Sequence, residues 1–291
     1  MVQYILISAA AAAFAVCAFC SGLVLKRYEF STDRFGGASI RAVHLSDLHS
    51  TRYGKNQEKL LLMVKEAEPD IIFLTGDIVD DRKKRKPAFE LFDGLCALGV
   101  PVYYVTGNHE INIRDLNDVT DKIRRFGVRV LDGECEKIVI NGVRLNICGI
   151  SDPRSYDREG GYDGWESAMR TAFAAIKDDS DYNILLSHRP ERIGFYHELG
   201  FDAVFCGHAH GGQVRIPLLL NGLFSPHQGL FPKYAGGIYT VDKLSRKTFE
   251  CVSRGLSVFW NLPRVFNPPE LVLTVIKSDD SRTDSSDKNS I

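Results

Sequence analysis

The sequence has almost no net charge, because 36 lysine and arginine residues oppose 37 aspartate and glutamate residues and leave a formal charge of −1. A chain without a positive excess lacks the electrostatic attraction that nucleic-acid-binding proteins depend on, so we expect no nucleic-acid partner. The 7 cysteines lack the paired spacing of zinc fingers, which excludes a structural zinc module. No internal repeat is visible. The hydrophobic content of 44% is that of an ordinary globular domain.

Charged residues are also absent between Tyr4 and Leu25. As a helix, this apolar stretch could cross the roughly 30 Å hydrocarbon core of a bilayer. No basic residue precedes it, which argues against the alternative, a cleaved signal peptide. We therefore predict an uncleaved anchor over residues 1–27, a single-pass location in the cell membrane, and the lipid bilayer as the partner of this helix.

The orientation of this predicted anchor follows from its flanks. Basic residues follow the apolar stretch on its carboxyl side, at Lys26, Arg27, Arg34 and Arg41. The positive-inside rule then predicts that the domain after the anchor is cytoplasmic, with an extracytoplasmic domain as the alternative. Most cysteines are interpreted as buried and unpaired, which agrees with a reducing compartment.

Polar residues follow apolar runs at several points along the chain. The segments are Asp47-Leu48-His49, Gly76-Asp77, Gly107-Asn108-His109-Glu110, Ser187-His188 and Gly207-His208-Ala209-His210. The apolar runs are typical of buried strands, and strand ends are the usual position of a site in an α/β sheet. Carboxylate, amide and imidazole ligands in one crevice predict a pair of divalent metal ions, which Mn²⁺, Fe or Zn²⁺ would suit.

The order of these segments resembles that of the calcineurin-like metallophosphoesterases. The stretch Gly207–Pro217, together with Gly229–Tyr234, further resembles the membrane-anchored bacterial subgroup of that family. This resemblance implies a metal-dependent hydrolase of phosphoric esters or anhydrides, and it implies a fold with two packed sheets between helices.

Strands and helices alternate beyond the apolar stretch. We predict strands at 42–45, 71–75, 102–106, 184–187 and 203–206, helices at 57–67 and 87–98, and a second sheet from short strands near 139, 143–147, 239 and 249. The predicted fold class is α/β, a four-layer α/β/β/α metallophosphoesterase sandwich with two mixed β-sheets, preceded by one N-terminal transmembrane helix. The predicted catalytic domain covers residues 28–277, and residues 278–291 form a predicted disordered tail.

The metal ligands are assigned partly from the residues and partly from the resemblance. Two cations held close together need an anionic bridge, and Asp77 after its strand is our candidate. Asp47 and His49 are alternate residues, so an extended backbone would point both side chains at one ion. The resemblance implies that His210 completes this ion's ligands, and that Asn108, His188 and His208 hold the second ion.

His109 lies beside a ligand without being needed as one. The resemblance implies that it is the general acid that protonates the leaving oxygen, and an imidazole pKa suits this task. An orienting contact to the phosphate is the alternative role. Glu110 and Asp80 are expected to orient the histidine ligands.

An apolar stretch from Val214 to Gly237 follows the last histidine pair. It is interpreted either as a core-packed loop or as an exposed lip for an amphiphilic substrate. Arg215, Lys233 and Arg264 are the predicted contacts to a substrate phosphate or headgroup.

The predicted function is hydrolysis of a phosphodiester or pyrophosphate bond by a metal-activated water. The substrate would be a phosphorylated lipid or a nucleotide-type molecule, and UDP-diacylglucosamine is one substrate class within the resembling subgroup. The alternatives are a nuclease or general phosphodiesterase of the same fold, and a non-catalytic metal-binding scaffold.

Overall fold

The computed structural model describes residues 4, 18–19, 22–178, 180–243, 246–258 and 263–279. Its strands are β1 (Val24–Thr32), β2 (Ser39–Leu45), β3 (Ile71–Thr75), β4 (Val102–Val105), β5 (Arg129–Val130), β6 (Glu134–Ile140), β7 (Val143–Gly149), β8 (Tyr182–Leu186), β9 (Ala203–Cys206), β10 (Phe224–Ser225), β11 (Gly229–Leu230), β12 (Gly237–Lys243), β13 (Arg246–Val252) and β14 (Glu270–Ser278). Its α-helices are α1 (Glu58–Glu66), α2 (Lys86–Cys96), α3 (Asn108–Ile111), α4 (Leu116–Arg125), α5 (Tyr162–Ala172) and α6 (Ile193–Leu199).

The larger strands form two 6-stranded sheets, with the orders β1-β14-β2-β3-β4-β5 and β12-β13-β9-β8-β7-β6. Both sheets are mixed, because β14 runs antiparallel to β2 and β13 runs parallel to β9 but antiparallel to β12. The carboxyl ends of the parallel strands β2, β3 and β4 lie side by side, as do those of β8 and β9. Residues that follow these strands therefore meet at one edge of the molecule.

The core forms three apolar layers. Alternate side chains of β3 face opposite ways, as the pleat of a strand requires. Ile72 and Leu74 pack in the layer that α1, α2 and α4 cover, whereas Ile71 and Phe73 pack between the two sheets. A third layer joins the second sheet to α5 and α6 around the buried Trp165. The α/β fold with two packed mixed sheets is confirmed.

The predicted transmembrane helix is wrong. None of the helices in the described part of the chain is long and apolar enough to cross a membrane. Residues 24–27, which the prediction placed at the end of the anchor, instead begin β1 and pair in parallel with β14 from Glu270 onward. Hydropathy predicted a helix for these residues, but backbone pairing with a distant strand gives them an extended conformation. The rest of the predicted anchor, apart from residues 4, 18–19 and 22–23, lies outside the described residues.

The predicted single-pass location in the cell membrane is wrong on the same finding. The predicted side of the membrane for the catalytic domain, cytoplasmic or extracytoplasmic, depended on that helix and is withdrawn as well. The predicted tail lies outside the described residues from residue 280 onward, and Ser278 is the last residue of β14.

Two of the cysteines are not free, unlike in the sequence interpretation. Cys135 on β6 and Cys148 on β7 face each other across an antiparallel ladder and form a disulfide. Cys96, Cys206 and Cys251 are free thiols.

Candidate metal centre

The loops after the strands turn sharply at the predicted ligands. Asp47, His49, Asp77, His208 and His210 all adopt positive φ values, between 46° and 67°. Non-glycine residues seldom adopt this left-handed conformation, and such residues concentrate at functional sites. The extended backbone that we assumed around Asp47 and His49 is therefore wrong. Both side chains nevertheless reach the same cluster, because the chain turns at each of them.

The first cluster consists of Asp47, His49 and His210, whose ligand atoms lie within 4.8 Å of one another. All three residues are buried, and Nε2 of His210 is 3.4 Å from Oδ1 of Asp47. Ser257 contacts the other ring nitrogen, Nδ1 of His210, at 3.2 Å. Burial lowers the pKa of His210 to about 3, so its imidazole is neutral and able to bind a metal ion.

The second cluster consists of Asp77, His188 and His208. Nε2 of His188 lies 3.3 Å from Oδ2 of Asp77 and 3.1 Å from Nδ1 of His208. The carbonyl oxygen of Thr75 contacts Nδ1 of His188 at 2.7 Å, which fixes the ring and directs Nε2 into the cluster. Burial disfavours the charged form of His188, but Asp77 more than offsets this and raises its pKa to about 10.

Asp77 lies between the two clusters. Its Oδ2 is 3.6 Å from Nε2 of His49 and 3.3 Å from Nε2 of His188, so one carboxylate oxygen faces both histidines. Its Oδ1 accepts a hydrogen bond of 2.8 Å from the backbone N–H of His109. Gly107 makes this approach possible, since a Cβ there would lie 2.3 Å from Oδ1 of Asp77.

Asn108 lies between two residues that contact Asp77 of the second cluster, because the backbone of Gly107 packs against the Asp77 carboxylate and the N–H of His109 donates to it. Its side-chain oxygen Oδ1 is buried and has no hydrogen-bond partner among the described residues. A buried amide oxygen without a partner is costly, unless a ligand that the structure does not contain satisfies it. Oxygen and imidazole donors together suit a borderline divalent ion, so the residues fit the predicted metal pair.

His109 lies beside the first cluster with its ring 4.5 Å from that of His49, centroid to centroid. Its Nδ1 contacts Oδ1 of Asp81 at 2.7 Å, which leaves Nε2 for another partner. Sequence reasoning missed Asp81. The signal for it is the run Asp80-Asp81 after the Gly-Asp motif, but nothing local says which carboxylate meets which histidine.

Asp80 and Glu110 have different roles. Asp80 contacts a predicted ligand, with Oδ2 3.3 Å from Nδ1 of His49. Burial opposes the charge on His49, yet Asp80 and the other nearby carboxylates raise its pKa. Glu110 contacts backbone rather than a histidine, since it accepts hydrogen bonds from the N–H groups of Asp77, Val79 and Gly107 at 2.8–3.0 Å. Burial, followed by repulsion from Asp77, raises the pKa of Glu110 to about 7.

An arginine that sequence reasoning missed lies against the second cluster. Arg189 is fully buried, and Asp152 binds its Nε and Nη2 at 2.6 and 2.9 Å. Its Nη1 contacts Nε2 of His208 at 2.6 Å and Nδ1 of His227 at 2.5 Å. Burial and the charge of Arg189 lower the pKa of His208 well below its usual value. Two further histidines, His44 and His197, are buried against Thr75 and Thr248 respectively.

The three predicted substrate contacts have other partners. Arg264 is buried and donates to the backbone carbonyls of Ser257, Arg254 and Gly255. Burial lowers the pKa of Arg264 to about 10. Arg215 donates to Asn221 and to the carbonyl of Gly211, and exposed Lys233 lies over the ring of Tyr234. Arg264 interacts electrostatically with Asp47 and His210 of the first cluster. Contact of the three predicted side chains with substrate stays a prediction.

The apolar stretch after the histidine pair is largely on the surface. Leu218 and Leu219 are almost fully exposed, and Leu230 and Phe231 are 66% and 67% exposed. These four side chains are therefore not core-packed, in contrast to the first of our two interpretations. Leu218 and Leu219 border an open cleft of about 490 Å³, whose other lining residues are Arg215, Ile216, Pro217, Leu220, Asn221, Arg254 and Phe266.

Comparison with known proteins identifies the family of this chain. The model of the calcineurin-like phosphoesterase family matches residues 40–212, and the chain belongs to this family. Its similarity to an uncharacterised metallophosphoesterase of Aquifex aeolicus is 30% identity over 262 residues, covering 88% of this chain and 92% of that relative.

Other relatives extend this comparison. An uncharacterised metallophosphoesterase of Campylobacter jejuni is 30% identical over 249 residues, which cover 82% of this chain and only 59% of that relative. A UDP-2,3-diacylglucosamine pyrophosphatase of Chlamydia trachomatis is 26% identical over 275 residues, covering 80% of this chain and 82% of the relative. The predicted family is confirmed, and the chain is a metal-dependent phosphoester hydrolase.

Proposed function

We propose that the protein hydrolyses a phosphodiester or pyrophosphate bond with two divalent ions. One ion would be held by Asp47, His49 and His210, and the other by Asn108, His188 and His208. Asp77 would be a ligand of both ions. The observation that carries this proposal is the position of Asp77, whose Oδ2 faces a histidine of each cluster at 3.6 and 3.3 Å. Mn²⁺, Fe and Zn²⁺ all suit these donors.

The residues of the chain would divide the chemistry as follows. When bound, the ions neutralise the phosphoryl oxygens and supply an acidified water as the nucleophile. His109 transfers a proton from Nε2 to the leaving oxygen as the bond to phosphorus breaks. Asp81, at 2.7 Å from Nδ1, fixes the ring so that Nε2 faces the reacting group. Glu110 holds the Asp77 and Asn108 loops together through backbone N–H groups.

We further propose an amphiphilic substrate, either lipid-linked or nucleotide-linked. The cleft beside the exposed Leu218 and Leu219 is lined by apolar residues together with the basic residues Arg215 and Arg254. That combination suits a molecule with an acyl chain and an anionic headgroup. The Chlamydia relative is named for a substrate of this class, UDP-2,3-diacylglucosamine.

The proposal is tested by metal analysis and a substrate screen on the purified full chain. We expect two equivalents of divalent metal per chain and turnover of a UDP-linked diacylglucosamine. An aryl phosphodiester should be a weaker substrate. A protein with both metals and activity only on simple monoesters would contradict the proposed bond type, and a protein without bound metal or any turnover would contradict the whole proposal.

A further inference from the structure

A short hairpin brings a residue outside the family motifs to the second cluster. Strands β10 and β11 pair antiparallel, and His227 lies in the turn between them. The N–H of Leu223 donates to the carbonyls of Gly212 and Val214, both at 2.9 Å. The hairpin is thereby attached to the loop that directly follows the last metal-binding histidine. The position of His227 relative to the centre is thus set by backbone hydrogen bonds.

His227 has a strained backbone and a fixed ring. Its φ of 63° lies in the left-handed region, which is unfavourable for a residue that carries a side chain. Its Nδ1 is 2.5 Å from Nη1 of Arg189 and 2.9 Å from Nε2 of His208. The buried ion pair of Arg189 with Asp152 prevents the guanidinium from moving away.

The contact with Arg189 determines which ring nitrogen of His227 carries the proton. A guanidinium group has donors and no acceptor, so Nδ1 of His227 must accept from Nη1 of Arg189. In the neutral ring the proton then resides on Nε2. Among the described residues, Nε2 has no hydrogen-bond partner, and His227 is exposed at the surface. The N–H at Nε2 of His227 is therefore a hydrogen-bond donor close to the second cluster, and the described residues supply no acceptor for it.

A purely structural role explains only half of this arrangement. Attaching the hairpin to Arg189 would use Nδ1 alone, and an asparagine would supply an acceptor there and tolerate positive φ better than most residues. The same hairpin also carries exposed apolar side chains, Phe224 on β10 and Leu230 on β11. One element thus presents a polar donor beside the metal-binding residues and apolar surface beyond them.

We propose that His227 is a specificity-determining residue that donates a hydrogen bond from Nε2 to an anionic oxygen of the group next to the scissile phosphorus. In a pyrophosphate substrate, this group is the second phosphoryl group. The inference rests on the proposed function and names the part of the substrate that the hairpin recognises. Arg189 is the positioning residue, because it fixes the tautomer and the orientation of the ring.

The test compares His227→Asn with His227→Gln in the full-length, metal-loaded enzyme. The asparagine keeps an acceptor for Arg189 but has no nitrogen at the ε position, whereas the glutamine places an amide N–H there. With a UDP-linked diacylglucosamine as the probe, His227→Asn should raise KM roughly 10- to 100-fold, as expected for a lost hydrogen bond to a charged group. Its kcat, metal content and melting temperature should stay close to those of the wild type.

His227→Gln should recover part of the loss in KM. An aryl phosphodiester provides a second control, because its neighbouring group offers no anionic oxygen, and neither variant should change its KM. An unchanged KM in His227→Asn would overturn the inference and leave the residue as an attachment of the hairpin. Loss of metal from both variants would also overturn it, in favour of support for His208. Failure of the proposed function is distinguishable, since the wild type would then turn over neither probe.

Discussion

Asp77→Asn tests the shared ligand with very little change in shape. The amide has the volume of the carboxylate, and its oxygen can still accept the 2.8 Å hydrogen bond from the N–H of His109. The change removes the negative charge that faces His49 at 3.6 Å and His188 at 3.3 Å. The fold should therefore persist, whereas the electrostatic reason for two cations to lie close together is lost.

The size of the effect follows from what a second ion contributes. Charge stabilisation by one ion in the transition state amounts to several kcal/mol. If Asp77→Asn retains only one ion, a loss of about 4 kcal/mol corresponds to a fall of roughly 10³-fold in kcat/KM. We expect the metal content to fall from two equivalents to one or fewer.

The assay measures metal content by mass spectrometry and turnover of an aryl phosphodiester on the same protein sample. Asp70→Asn is the matched control, because Asp70 precedes β3 whereas Asp77 follows it. Asp70 accepts a hydrogen bond of 2.7 Å from the backbone N–H of Arg41, far along the strand from the ligands. This control should retain both metals and full activity. An Asp77→Asn protein with two ions and activity within tenfold of the wild type would refute the shared-ligand assignment.

Three further predictions concern the acid, the apolar surface and a buried carboxyl group. His109→Ala should keep both metals and lose roughly 10²–10⁴ in rate on alkoxide leaving groups. Its loss should be smaller for nitrophenolate, and equal losses would favour an orienting role instead. Replacing Leu230 and Phe231 with Ser should raise KM for a long-chain lipid phosphate by roughly fourfold per lost methylene contact, at about 0.8 kcal/mol each. An equal effect on a soluble aryl diester, with a lower melting temperature, would contradict a substrate role. Burial raises the pKa of Glu250 well above its usual value, so its stabilising contribution is complete below the unfolded pKa of about 4.3 and declines as pH rises toward the folded value. Glu250→Gln should therefore gain melting temperature relative to the wild type as pH increases, and a pH-independent difference would contradict this.

Local sequence was sufficient for the strands at the centre of each sheet. The prediction of 71–75 coincides with β3, and that of 203–206 coincides with β9. Both strands are buried on both faces, so every position is apolar or small and the run stands out from its surroundings. A glycine directly after each run, Gly76 or Gly207, marks the strand end. The order of the metal-binding segments, which carried the family assignment, is likewise a property of the sequence alone.

The pairing of β1 with β14 could not be predicted locally. Val24 pairs with Glu270, a partner almost the whole length of the chain away. The apolar residues before it have the hydropathy of a membrane helix, and no local rule shows that a distant strand is available to pair with 24–32. The Cys135–Cys148 disulfide was missed for a related reason, because it depends on the register of β6 against β7.

What the sequence by itself determined is the family, the metal-binding residue types and the strands that present them, because each is encoded in a few consecutive residues. Only the tertiary structure decided which groups orient those residues. Asp81 meets His109, and Arg189 brings His227 to His208, through contacts between loops that are separated in the chain. No periodicity or spacing in the sequence marks these contacts. Their partners are fixed by the packing of the two sheets and by the turn that each loop makes at its end.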